Sequence, residues 1–215
     1  MSYGRRKWEQ SQMVNWKKNE DEISSFFGRF NLDVRDLYKH VMSIDYDKMQ
    51  AVCYLLSKID KAIKICDFLD GLERGNHEDV DVIKIYILVS HAEISSRSLG
   101  KEKTGIKLVK EFFSPVASSL KHRIKPSLIS KKNLNLNFAD ILYKLRCEYT
   151  HEGNYTGRIF KRKEDGKCFL SIRFKIDDEY FYGKCDLAYK EFIEIYMEAL
   201  IENIKKFSNY GKQSK

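Results

Sequence analysis

The sequence predicts a mainly α-helical bundle with a small β-hairpin set before the last helix. Three observations lead there. Apolar residues recur at three- and four-residue steps through most of the 215 residues. Only 2 prolines and 11 glycines interrupt them. The period shortens to about two only after Gly153, where charged and apolar residues alternate.

The N-terminal stretch Ser2 to Glu22 is polar, with Trp8 and Trp16 eight apart and so on one side of a helix if it is helical. Asn31 to Tyr38 carries a helix start signal and a short periodic run. Residues 1–44 are therefore expected to be a helical extension packing on a core domain of residues 45–208. The clearest helix runs from about Asp45 to Gly71, with Met49, Val52, Leu55, Leu56, Ile59, Ile63, Cys66 and Leu69 on one face. A charged loop, residues 73–79, follows. Val80 to Leu99 opens with β-branched residues, which would suit a strand. Its length and lack of turn residues favour a buried helix.

Thr104 is the expected N-cap of the next helix, and Pro115 should end or kink it. Lys121 to Asn137 reads as a loop with five Lys/Arg and no acid. A further helix should start near Asn137 and end near Gly153. Arg158–Lys161 and Cys168–Ile176 read as strands around a turn at Glu164-Asp165-Gly166, with a third short strand at Tyr180–Tyr182. The hairpin region is thus about 157–183. Asp186 should cap a last helix bearing Phe192, Ile195, Tyr196, Ala199, Leu200, Ile204 and Phe207. Residues 209–215 are a tail.

Lys+Arg 39 against Asp+Glu 31 gives a net charge of +8, which fits a polyanionic partner. No stretch approaches the roughly 20 apolar residues that span a bilayer, and no apolar run follows the basic start, so neither a membrane nor a secretory role is expected. Five cysteines without a C-x-x-C pair read as reduced thiols of a cytoplasmic protein. Phosphate loops, nucleophile elbows and zinc-binding His-Glu motifs are missing, so no metal or cofactor is expected.

The segment Asp140-Ile-Leu-Tyr-Lys-Leu-Arg-Cys-Glu-Tyr-Thr-His-Glu-Gly carries the functional signal. Phe138, Ile141, Leu142, Leu145 and Tyr149 form a docking stripe, and Arg146 lies on its flank, roughly 80° from the stripe's centre. His151 falls in the last turn, where the helix dipole favours an imidazolium and a pKa near or above about 6.5. Arg146 and His151 stand roughly 140° apart on an ideal helical wheel, which a tightened last turn would reduce.

This segment resembles the HEPN superfamily, whose signature is R-x(4–6)-H near the end of a core helix, and in particular its Apea-like branch. The resemblance covers about residues 45–208, through the Tyr86–Ile94 helix before the motif and the hairpin and helix after it. It implies a HEPN-like helical bundle and metal-independent RNA cleavage by a homodimer whose two motifs meet. It also implies a setting in microbial defence or a toxin system, with an antitoxin or defence protein as partner. Arg146 and His151 occupy the signature positions and take the catalytic roles. Cys147 stands where the family often has a polar residue, and Cys147, Glu148 and Thr150 are supporting candidates. Gly153 stands two residues after His151, where one subgroup has a modifiable tyrosine, so that regulation does not carry over.

The chemistry is consistent with those residue types. RNA supplies its own nucleophile, the 2′-hydroxyl. Histidine suits the proton transfers, and arginine's planar fork suits two phosphate oxygens. One motif supplies one histidine and a two-fold dimer supplies two. Lys144, Arg158, Lys161, Arg162 and Lys163 are candidate RNA-binding residues around the motif. The bland alternatives are an Arg146 ion pair with Glu148 or near Asp140, a capping His151, and a core pairing of His91 with Glu93. On those the domain is a non-catalytic RNA-, nucleotide- or protein-binding module.

Overall fold

Helical periodicity and well-placed stop residues divide the chain into six helices among the described residues. The computed structural model describes residues 17–30, 37, 41, 43–44, 46–72, 80–118, 124–125, 137–152, 160, 172–176, 179–185 and 187–209. The helices are α1 (residues 17–28), α2 (Tyr46–Leu72), α3 (Val80–Ser98), α4 (Ile106–Phe113), α5 (Phe138–Glu152) and α6 (Tyr189–Asn209). No helix among the described residues is long and apolar enough to cross a membrane. Of the expected helix at 31–38 only Leu37 is described, and it is helical; the tryptophans at 8 and 16, the loop at 73–79 and the tail from 210 lie outside the described residues.

The chain divides into two compact units, Met1–Asp60 with Ile204–Lys215, and Lys61–Asn203. The divisions fall inside α2 and α6. In the first unit, Ile23, Phe26 and Phe27 of α1 are buried with Leu37, Val41 and Met49, Val52, Leu55, Leu56 and Ile59 of α2. Phe26 meets Phe27 edge-on at 5.1 Å, and Arg29 pairs with Asp60.

The second unit holds the motif helix. Its core is aromatic: Phe113 meets Phe138 at 5.5 Å, Phe112 meets Tyr196 at 4.8 Å, and Phe160 meets Phe192 at 5.5 Å. Such ring pairs contribute about 0.5–1.5 kcal/mol each beyond their burial. The β-branched opening of α3 is helical because Val80, Val82 and Ile85 are buried, and burial outweighs a weak propensity. At the same end, Lys84 is wholly buried. It pairs with Asp81 at 2.8 Å and Asp70 at 2.5 Å, and its ammonium lies 4.5 Å from the Tyr189 ring centre. Asp81 also accepts the Phe160 N–H at 2.9 Å. A lone buried cation would cost several kcal/mol, so these partners are what make Lys84 tolerable there.

The caps differ in part from expectation. The N-cap of α4 is Gly105, not Thr104, with φ +54° and no side-chain cap bond. Pro115 lies in a short 3-10 turn, Ser114–Val116, which ends α4 as expected. Asn137 and Asp140 cap α5 reciprocally: Asp140 N–H donates to Asn137 Oδ1 at 3.0 Å, and Asn137 N–H to Asp140 Oδ2 at 3.1 Å. Asp186 lies outside the described residues. The Ala188 N–H at the start of α6 donates to Glu191 Oε2 at 2.9 Å.

Three strands, β1 (Ile124–Lys125), β2 (Ile172–Ile176) and β3 (Glu179–Cys185), form an antiparallel sheet in the order β1-β3-β2. Ile176 faces Glu179 and Ile172 faces Gly183. β2 and β3 fall at the second and third expected strands, Cys168–Ile176 and Tyr180–Tyr182, and are joined through residues 177–178; the expected turn at Glu164-Asp165-Gly166 lies outside the described residues. Ile124 faces Cys185, so part of the segment read as a basic loop is a strand. A two-residue strand has no periodicity to read, and its pairing partner lies about 60 residues away in the sequence.

Candidate functional site

The reciprocal cap at Asn137/Asp140 fixes where α5 begins, and its apolar face fixes how it turns. Phe138, Ile141, Leu142 and Leu145 are buried. That leaves Arg146 half-buried on the flank that meets α3. Two contacts set the pairing of these helices: Tyr86 meets Tyr149 with ring centres 5.0 Å apart, and Glu93 meets Arg146. The residue numbers run in opposite senses, so α3 and α5 are antiparallel here. Ser90 lies between the two contacts on α3.

The Arg146 side chain is 24% exposed, and its Nη2 lies 3.7 Å from Glu93 Oε2. That distance is an ion pair but too long for a hydrogen bond. Arg97 holds the other carboxylate oxygen of Glu93 at 3.2 Å. The guanidinium carbon of Arg146 lies 5.7 Å from the Tyr143 ring centre, a cation–π contact. Among the described residues, the buried Arg146 Nε and Ser90 Oγ have no hydrogen-bond partner. An orphaned buried donor costs about 1–3 kcal/mol, so it is a place where a ligand or water is favoured.

The expected partners of Arg146 are corrected by this geometry. The ion pair is with Glu93 of α3, not Glu148, and Asp140 is occupied by its cap and by Lys110 at 2.7 Å. Glu93 serves two arginines rather than a core pair with His91. Tyr143, which the sequence did not single out, supports Arg146 from one turn earlier. Its hydroxyl packs against Gly105: a Cβ there would lie 2.8 Å from it. Burial raises the Tyr143 phenol above the ordinary tyrosine range. Cys147, hydrogen-bonded to it, adds to the rise, and Arg146 acts in the opposite sense. The Tyr143 hydroxyl therefore stays protonated at neutral pH.

His151 is exposed in the last turn of α5, which stays α-helical through Glu152. No tightening of that turn draws it toward Arg146, so the wheel angle of roughly 140° stands within one chain. Thr150 is exposed and donates to the Arg146 carbonyl at 2.8 Å. Cys147 is a half-buried free thiol, and Lys144 and Glu148 are half-buried. Arg158, Lys161, Arg162 and Lys163 lie outside the described residues. Among the described residues, no group of three or more His, Cys, Asp or Glu is placed to hold a metal ion.

The arrangement offers a forked cation with unused donors, supported by an aromatic ring and a shared carboxylate. An exposed imidazole stands on the same helix. Comparison with family models, curated proteins and solved structures finds no match.

Proposed function

We propose that this chain is a metal-independent endoribonuclease of HEPN type, cutting single-stranded or looped RNA. In this reading the helical bundle, with its strands before α6, is HEPN-like and works as a homodimer in the cytoplasm, in microbial defence or as a toxin. The observation that carries the reading is Arg146: half-buried, held by Glu93 on one edge only, and with a buried Nε donor left unpaired. A phosphate satisfies such a fork with two oxygens.

In the reaction, a histidine takes the 2′-hydroxyl proton and the oxygen attacks the adjacent phosphorus. The bond to the 5′-oxygen breaks, and a second proton donor neutralises that leaving group. The products are a 2′,3′-cyclic phosphate and a 5′-hydroxyl. Arg146 binds the phosphorane oxygens as negative charge gathers on them. His151 of each protomer supplies one proton-transfer group, so the pair divides the acid and base roles. The wheel angle between Arg146 and His151 makes a second copy the natural source of the missing group.

The test is RNA cutting by the purified chain in excess EDTA. Arg146→Ala and His151→Ala each abolish it while the helical circular dichroism stays unchanged. Full activity in either variant refutes the assignment.

The same geometry favours a second reading, a non-catalytic RNA-, nucleotide- or protein-binding module. Arg146 is ion-paired and His151 points from another flank of an unbroken helix. Salt-sensitive RNA binding without cutting at high protein concentration selects this reading.

A further inference from the structure

The residues just ahead of α4 repeat the electrostatic pattern seen at Arg146. Glu93 is shared by two cations, Arg97 and Arg146. Glu111 is likewise shared: its Oε1 lies 3.6 Å from Lys101 and 3.4 Å from Lys103. Each carboxylate neutralises one charge and leaves one positive charge over, and the exposed Glu102 between Lys101 and Lys103 offsets one of these. Lys107 adds an exposed cation on the first turn of α4, and Arg97 and Lys103 are more than half exposed.

This basic turn is joined to Arg146 by direct packing. Arg146 lies over Tyr143, and the Tyr143 hydroxyl lies against Gly105. Gly105 is two residues from both Lys103 and Lys107, so their backbones lie within about 7.6 Å of its own. The positive φ of Gly105 turns the chain from one lysine pair into the helix that carries the next lysine. The backbones of Lys103 and Lys107 therefore flank the glycine against which Tyr143, the aromatic under Arg146, is packed.

We infer that Lys101, Lys103 and Lys107 form an RNA-backbone site, holding phosphates that flank the one bound by Arg146. The inference rests on the proposed reading of Arg146 as a phosphate-binding residue. The ligand chemistry is a run of phosphodiesters: excess positive charge is spread along several side chains rather than gathered round a single anion. Exposed lysines contribute to such binding by releasing counterions, without reading sequence.

The test uses a fluorescent 2′-O-methyl RNA of about 12 nucleotides, which cannot be cut because its 2′-oxygens carry no proton. Its affinity for the full chain is measured by anisotropy between about 25 and 200 mM KCl. Single-strand binding loses about 0.7 from the log–log salt slope for each phosphate contact removed. The Lys101→Gln/Lys103→Gln/Lys107→Gln variant should therefore bind more weakly with a slope shallower by about 2. Lys61→Gln/Lys64→Gln, on the exposed face of α2, should keep the wild-type slope. A Lys103→Gln/Lys107→Gln variant gives the same reading, with a smaller change, should the triple variant fold poorly.

An unchanged slope in the lysine variants overturns the inference. So does an equal loss in the α2 control, or a wild-type chain that binds no RNA at the lowest salt. Cutting of ordinary RNA by the same proteins is scored apart. A chain that binds through these lysines but does not cut keeps this site and loses the nuclease reading. A chain that cuts with an unaltered slope does the reverse.

Discussion

Arg146 is held from one side and underneath, and that one-sidedness decides what the residue can do. A lysine at the position keeps the charge but loses the planar fork. Arg146→Lys should therefore lower RNA cutting by about 100-fold or more, the scale of a lost charge-stabilising donor. Its thermal midpoint should move only slightly, because the pair with Glu93 is long and partly solvated. Single-turnover cutting beside a melting curve checks both. That Arg146 and His151 share one helix was legible in the sequence from its apolar periodicity. Glu93 was read as a core partner of His91 on a buried helix. Its true partner comes from a segment about 50 residues later, and no local pattern encodes that distance. Tyr143 was missed because an aromatic at helical spacing reads as core.

Among the elements, helix starts and stops were the most legible features. The helix start near Asn137 and the break at Pro115 were read from the sequence, and both residues act there through their own side chains. The start of α4 was displaced by one residue, from Thr104 to Gly105, because the positive φ there is required by packing against Tyr143 rather than by capping chemistry. Gly105→Ala should then destabilise the chain by about 1–3 kcal/mol from the backbone alone, because φ +54° with ψ −128° is a region that favours glycine. The clash with the Tyr143 hydroxyl adds to this. Tyr143→Phe should recover part of the loss, measured as a double-mutant cycle in urea. Recovery absent, the Gly105–Tyr143 contact does not constrain the turn. The strands were less legible. β1 joins β3 through a non-local pairing, and a two-residue element leaves no alternation to detect.

The molecule as a whole keeps several weak acids out of water. Burial pushes the Cys53 thiol up to about 11 and the Cys66 thiol up to about 12, and raises the Tyr189 and Tyr196 phenols beyond the ordinary tyrosine range. Each group holds its proton more tightly folded than unfolded. Their contribution is whole below the ordinary cysteine value of about 8.5 and is lost as pH rises from there. The thermal midpoint should fall steadily between about pH 9 and pH 11. Tyr196→Phe should make that fall shallower, and a flat alkaline profile would contradict the burial of these groups. The helical class was legible because it follows from summed periodicity. The division into units at Asp60/Lys61 and Asn203/Ile204 was not, because it cuts through continuous helices.

The central claim is that a cationic fork and an imidazole cut RNA through its own 2′-hydroxyl. The most direct measurement is the chemistry of the new ends. RNA is incubated with the chain in EDTA, and the cleaved bond is then compared with an oligonucleotide carrying one 2′-deoxy residue on its 5′ side. The account predicts a 2′,3′-cyclic phosphate, a 5′-hydroxyl, and no cutting at the deoxy position. A 5′-phosphate product, or equal cutting of the deoxy-substituted bond, would contradict it.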